Sequence, residues 1–243
     1  MSGSLSATGI EPLLSIIVPV YNEKATFSNM MGQLVAKNIS GLQKEIIVVE
    51  GNSNDGTKTD VMKFGGLPEI KLIFLEKAQG KGHAVRQGLK IARGDIILIQ
   101  DADLEYDMND YDALLAPILS LETDLVLGSR HLGHWKIRKF KGKVIFSSCL
   151  NFGHLFFTFL FNKLYGQNLS DPWTMYKVFR RECLHGVVFE SNRFNFDVEL
   201  VSKLVRLGFD PLEIPVSYES RSFEEGKKIN IWMDPWTWLW ALI

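Results

Sequence analysis

The chain has 243 residues, 46% of them hydrophobic, and 27 Lys and Arg against 28 Asp and Glu give a net charge of −1. That balance supports a sizeable core in one large α/β domain or two small ones, and it excludes the basic field of a nucleic-acid binder. Two cysteines, Cys149 and Cys183, exclude a disulfide framework and a zinc site.

The opening, residues 1–12, has neither a basic n-region nor an apolar h-region, so it reads as a short disordered lead-in rather than a signal peptide. Leu14 to Val20 is an apolar run ending in Tyr21-Asn22-Glu23, a strand leading to a functional edge. Phe27, Met30, Met31, Leu34 and Val35 follow helical spacing. Glu45 to Glu50 is a second strand, and the turn formers Gly51 to Thr57 follow it. Lys71 to Glu76 is a third. Gly80-Lys81-Gly82 opens a helix with Ala84, Val85, Leu89 and Ile91 on its apolar side. Ile96 to Ile99 is the fourth strand, uninterrupted in its apolar character, as expected when both faces of a parallel sheet are covered. Asp112 to Leu121 reads as helix that Pro117 would kink or split, and Asp124 to Gly128 is a fifth strand. Strand and helix alternate to residue 130, which implies a parallel sheet layered with helices.

Asp101, Asp103, Glu105 and Asp107 stand at alternate positions just past the fourth strand. Open α/β sheets bind ligands at that carboxyl edge. Carboxylates packed so closely repel one another, and a hard cation such as Mg²⁺ or Mn²⁺ removes the cost. The plainer reading is a solvated acidic loop or a helix start, where carboxylates favour the dipole. Attachment to a strand of pure aliphatics favours the metal reading for Asp101-Ala102-Asp103. Lys81 sits between two glycines at a helix start, where it is either a phosphate contact or a solvated loop lysine. Val85 replaces the third glycine of a dinucleotide fingerprint, and there is no P-loop.

Past Arg130 the pattern changes. Five positive charges fall within residues 136–143. Val144 to Tyr165 is Phe-rich but broken by Ser147, Ser148, Asn151, His154 and Asn162, too polar to span a bilayer. A basic lead and a Phe/Leu face suit a helix lying in the membrane interface, which is preferred here to an aromatic core helix. Met175 to Phe179 and Leu212 to Ser217 read as strands, and Phe194 to Leu207 as helix. A polar loop, 218–229, holds Arg221, Lys227 and Lys228, and the tail carries Trp232, Trp236, Trp238 and Trp240. Tryptophan prefers the lipid–water boundary.

Seven blocks in order, SIIVPVYNE (15–23), VVEGNSNDGT (48–57), GKGHAVRQGL (80–89), DADLE (101–105), LGSRHL (127–132), LSDPWTMYKVFRRE (169–182) and YESRSFEEGKKI (218–229), resemble the family 2 glycosyltransferases of GT-A fold. Within them the chain looks most like the dolichyl- or polyprenyl-phosphate sugar transferases. The resemblance implies a Rossmann-like, mostly parallel sheet flanked by helices. It implies a 13–228 domain, nucleotide-binding over 13–130 and acceptor-binding over 131–228, followed by a Trp-rich interfacial helix over 229–243. Pro19, Tyr21, Glu23, Glu50, Asn52, Lys81, Ala102 and Arg130 would bind the donor together with Asp101 and Asp103. Asp101, Asp103 and Glu105 would hold the divalent ion. The usual Asp-Asp-Gly-Ser is Glu50-Gly51-Asn52-Ser53 here, which bears on the nucleotide; UDP is favoured over GDP. Arg130, Arg221 and Lys227 would neutralise donor or acceptor phosphate.

The implied reaction is an inverting transfer of a hexose from a nucleotide-diphosphate sugar to a polyprenyl phosphate, by a cytoplasmic protein peripheral on the cytosolic membrane face. With a hydroxyl acceptor a base is needed, and Asp171 is the candidate; with a lipid phosphate, Asp171 would position groups instead. A soluble small-molecule, glycan or protein hydroxyl acceptor is the alternative, and a non-catalytic sugar-nucleotide binder the remote one. An Asp-nucleophile phosphatase would carry its D-x-D on the first strand, and a nucleotidyltransferase would want a Gly-rich loop where Tyr21-Asn22-Glu23 stands. Of the histidines, only His131, beside Arg130, is placed to touch ligand.

Overall fold

The computed structural model describes residues 11–130, 144–221, 237, 241 and 242. His131, Lys227, the basic stretch 136–143 and the four tail tryptophans lie outside the described residues.

In chain order the elements are β1 (Leu13–Val20), α1 (Phe27–Ala36), β2 (Gln43–Glu50), α2 (Thr57–Met62), β3 (Ile70–Phe74), α3 (Lys81–Ile91), β4 (Ile96–Ile99), α4 (Tyr111–Leu119), β5 (Leu125–Ser129), α5 (Val144–Tyr165), β6 (Lys177–Arg180), α6 (Asn195–Arg206) and β7 (Leu212–Pro215). The strands form one sheet in the order β3-β2-β1-β4-β6-β5-β7. Both faces are covered, which is why its central strands are continuously apolar. On one face Ile16, Val18, Ile46 and Leu98 pack with Met30, Leu34, Leu114 and Ile118 of α1 and α4. On the other, Ile17, Ile97 and Ile99 pack with Val85, Phe161, Phe196 and Val201 of α3, α5 and α6.

The sheet is mostly parallel, with one exception that alternation of strand and helix did not signal. β6 runs antiparallel to both β4 and β5. Its amino end therefore lies at the edge where β1, β2, β4 and β5 have their carboxyl ends, bringing residues 171–176 there as well. β3 and β6 are offset from the expected 71–76 and 175–179 by one or two residues at each end. Pro117 does not split its helix: it falls in the last turn of α4, and its carbonyl accepts the Glu122 amide that closes the helix.

α3 reaches the site edge through close contact. A Cβ on Gly82 would lie 2.5 Å from the Phe196 Cβ and 2.6 Å from the Ser191 carbonyl oxygen, and Gly80 has φ +100°. These two glycines let α3 begin against the segment before α6.

Candidate active site

Three loops build the nucleotide-side rim. After β1, Asn22 adopts φ 50°, donates its amide to Ser53 Oγ at 2.9 Å and accepts the Asn54 amide at 2.9 Å. The Glu23 amide donates to Thr57 Oγ1. Asn52, with φ 66°, turns the chain after β2. Glu50 is buried and accepts the amides of Asn52 at 3.1 Å and Ser53 at 2.7 Å, so its carboxylate shapes its own loop. Pro19 is buried in β1, beside Val49, and Tyr21 stands exposed at the rim.

The acidic segment after β4 is brought to Glu23 by Arg221, from the chain beyond β7. Arg221 Nη1 lies 2.8 Å from Glu23 Oε2, Nη2 lies 2.7 Å from Asp103 Oδ2, and Nε lies 3.8 Å from Glu105 Oε1. The Arg221 amide and the Tyr218 hydroxyl also donate to Glu105, at 2.7 and 3.0 Å. Ala102 is buried between the two aspartates, and its carbonyl accepts Thr26 Oγ1. Burial, then the neighbouring charges of Asp101 and Glu105, push Asp103 up to about 7 against the pull of Arg221. That is the electrostatic cost of gathering carboxylates.

Among the described residues no three His, Cys, Asp or Glu side chains stand as close as direct metal ligands would. The donor set nevertheless fits a divalent cation. It is all oxygen, it surrounds a guanidinium, and Mg²⁺ or Mn²⁺ typically needs only one or two carboxylates when substrate phosphates supply the rest.

Lys81 is turned inward. Its ammonium lies 2.7 Å from Asp101 Oδ1 and 3.7 Å from Asp197 Oδ2. Burial would lower its pKa, but the two aspartates outweigh this and raise it. Asp197 Oδ1 in turn meets Lys177 Nζ at 3.1 Å, and Lys177 also donates to the Thr174 carbonyl. Lys177 is fully buried, and burial lowers its pKa. Lys177 and Asp197 were missed in the sequence; the available signal was a lysine inside the buried strand MYKVF.

Beside this row, Asp171 and Arg130 form a buried bidentate pair. Arg130 Nε and Nη2 each lie 2.7 Å from an Asp171 oxygen, and the Arg130 amide donates to Asp171 Oδ2 at 3.0 Å. Burial pushes the Asp171 carboxyl up, but the guanidinium outweighs it and holds it well below the usual carboxylate range. His154 of α5 places Nε2 3.5 Å from Asp171 Oδ1. The Tyr218 ring covers Arg130 at 5.3 Å, and Glu213 accepts the amides of Ser170 and Asp171. His154 and Glu213 carried no recognisable spacing in the sequence, and Tyr218 stood there only as the first residue of the block 218–229.

A family model described as glycosyl transferase family 2 matches residues 15–187. The dolichol-phosphate mannosyltransferase of Pyrococcus furiosus is 26% identical over 217 residues, covering 88% of this chain and 58% of that protein. The human dolichyl-phosphate beta-glucosyltransferase is 29% identical over 243 residues, covering 93% of this chain and 71% of its own length. Among solved structures, glucosyl-3-phosphoglycerate synthase from Mycobacterium tuberculosis, in complex with Mn²⁺, UDP-glucose and phosphoglyceric acid, matches with TM-score 0.69. That match has 19% identity and covers 95% of this chain and 78% of the other. A mannosyltransferase from Pyrobaculum calidifontis in complex with GDP-mannose and Mn²⁺ has TM-score 0.55 and 19% identity, over 85% of this chain and 55% of its own.

Proposed function

The chain belongs to glycosyl transferase family 2 and has the GT-A fold, and from that premise we propose that it transfers a hexose from a nucleoside-diphosphate sugar to a polyprenyl phosphate at the cytosolic membrane face. Residues 13–228 act as the catalytic unit, with 229–243 as a Trp-rich appendage.

The observation that carries the choice of acceptor is the Asp171–Arg130 pair. A hydroxyl acceptor needs a base to take its proton. Asp171 is buried, paired through both oxygens and depressed in pKa, so it is a poor one. A phosphate acceptor is already anionic and needs a cation to receive it. On this reading Asp171 orients Arg130, Tyr218 covers its face, and the guanidinium receives the acceptor phosphate.

On the donor side, Asp103 with Glu105, Asp101 and Glu23 would hold a divalent ion. When bound, that ion supplies electrostatic stabilisation to the departing nucleoside diphosphate. Arg221 sits among these carboxylates and carries positive charge that can pass to the diphosphate. Lys81 orients Asp101 through the 2.7 Å contact between them. The sugar moves in one in-line displacement with inversion, and no protein nucleophile is required.

Calorimetry with UDP and GDP, with and without Mn²⁺, on wild type and Asp103→Ala tests the donor half and assigns the base. Metal-dependent binding of one nucleotide, lost in the variant, is the expected result; no binding under any condition would overturn it. Transfer to a short-chain polyprenyl phosphate, but not to the corresponding alcohol, is expected on the acceptor side.

A further inference from the structure

A row of four alternating charges runs from the core to the acidic edge of the site. Lys177 of β6 is fully buried, and Asp197 is buried in the first turn of α6. Lys81 opens α3, and Asp101 follows β4. Lys177 Nζ lies 3.1 Å from Asp197 Oδ1, Asp197 Oδ2 lies 3.7 Å from Lys81 Nζ, and Lys81 Nζ lies 2.7 Å from Asp101 Oδ1. The middle link is open. A charge-assisted hydrogen bond from an ammonium to a carboxylate spans about 2.7–2.9 Å. Asp197 Oδ2 is buried and accepts no hydrogen bond from the described residues. Buried carboxylate oxygens are rarely left so, because the water they lose is not replaced.

The backbone around this open link is clamped. The His83 amide donates to the Asn192 carbonyl at 3.0 Å, and Arg86 Nη1 donates to the Phe189 carbonyl at 2.7 Å. Glu199 of α6 accepts the amides of Glu190 and Ser191 at 2.9 and 2.8 Å. These bonds fix the start of α3 against the segment before α6. The part that can move is the flexible four-carbon stem of Lys81. Its remaining neighbour, Met175 Sδ at 3.6 Å, is a weak acceptor that does not pin it.

We propose that Asp197 Oδ2 is a second seat for the Lys81 ammonium, which makes Asp197 a positioning residue for the donor site. The proposal rests on the reading that Asp101 takes part in holding a divalent ion. Without the ion, Lys81 is the counter-charge of Asp101. Once Asp101 is engaged with the ion, two cations face one carboxylate, and the ammonium moves about 1 Å to close onto Asp197. Lys81 thus stays paired in both states, as a charge in a buried row must. Lys177 sets the balance between the two seats. It occupies Asp197 Oδ1, so Asp197 holds Lys81 less strongly than Asp101 does until Asp101 is engaged. A row serving stability alone would close its middle link.

The test is calorimetric titration of the full chain with Mn²⁺, alone and with UDP or GDP. It compares wild type, Asp197→Asn, Lys177→Met, Lys81→Met and the two double variants that include Lys81→Met. Circular dichroism and urea midpoints check folding. Asp197→Asn is expected to weaken Mn²⁺ binding by about tenfold, the order of one charge-assisted hydrogen bond, because Lys81 loses its second seat. Lys177→Met is expected to act the other way and tighten binding by about threefold, because Asp197 then draws Lys81 off Asp101. Both effects should vanish in the Lys81→Met background. A structural role for the row would make both variants weaken binding in step with lower urea midpoints, with or without Lys81. That result overturns the proposal, and so does unchanged affinity in Asp197→Asn. If Asp197→Asn does not fold, Lys177→Met decides alone: affinity equal to or weaker than wild type, or a tightening that survives Lys81→Met, overturns the proposal. A wild type that binds no Mn²⁺ with either nucleotide overturns the donor-site reading and the proposal with it. Binding that ignores Asp197 overturns the proposal and leaves that reading standing.

Discussion

Asp171 shows how a carboxylate's partner fixes its role. The Arg130 guanidinium holds it ionised far below neutrality, so its charge is constant across the range in which a base would titrate. Asp171→Asn should lower transfer by about 100-fold through misplacement of Arg130, with nucleotide affinity unchanged. The acid limb of the pH–rate profile should be the same in variant and wild type; a limb that vanishes with the substitution would identify Asp171 as a proton acceptor. Arg221 makes a separate point. It occupies the centre of Glu23, Asp103 and Glu105, so it competes with any cation drawn there. Arg221→Ala should tighten binding of Mn²⁺ alone by roughly threefold, about the worth of one screened ion pair, while transfer falls. Weaker Mn²⁺ binding in the variant, read by calorimetry, would mean that Arg221 organises the carboxylates rather than competing at them. The acids were legible in the sequence because they crowd one edge; Arg221 was read there as a phosphate contact, but its pairing with these acids was not, because it comes from more than a hundred residues away.

At the level of elements, α3 and α5 respond to opposite constraints. Gly82 is enclosed by Phe196 and the Ser191 carbonyl. Gly82→Ala should cost about 1–3 kcal/mol by overpacking, as a lower midpoint in urea. Gly153 lies in α5 with nothing within 4 Å of an added Cβ, and Gly153→Ala should be stabilising by roughly 0.5–1 kcal/mol. The sequence GKG left Lys81 as either a phosphate contact or a solvated loop lysine. Its glycines are accounted for by close packing at the start of α3, and its lysine by a buried row of alternating charges. The strand pattern located β6 but not its direction, because hydrophobic runs carry no sign of parallel or antiparallel pairing.

Across the whole molecule, one charged residue ties the end of the sheet remote from the site. Glu45 accepts Ser15 Oγ at 2.6 Å, Lys71 Nζ at 2.8 Å and the Arg93 amide at 2.7 Å, joining β1, β2, β3 and the turn before β4. Burial pushes its pKa up, but these bonds outweigh it and hold it at about 2, against an ordinary 4.5. A depressed acid stabilises the fold above its unfolded pKa and loses that contribution as pH falls toward its folded one. Glu45→Gln should therefore cost roughly 2–3 kcal/mol at neutral pH. The gap from wild type in denaturant titrations should close between about pH 5 and pH 2. A gap that is independent of pH would mean that the loss is one of packing.

What the sequence determined by itself is the layered sheet, the edge on which the site lies and most of its acidic residues. These are local properties: a strand's apolar run and the loop that follows it are contiguous in the chain. What only the tertiary structure decided is how the charges are paired. Asp101 with Lys81, Asp103 with Arg221, Asp171 with Arg130 and Asp197 with Lys177 join segments between 20 and 118 residues apart. Whether a carboxylate can accept a proton, hold a metal or only orient a cation depends on that partner and on burial, and neither is written in the residues around it.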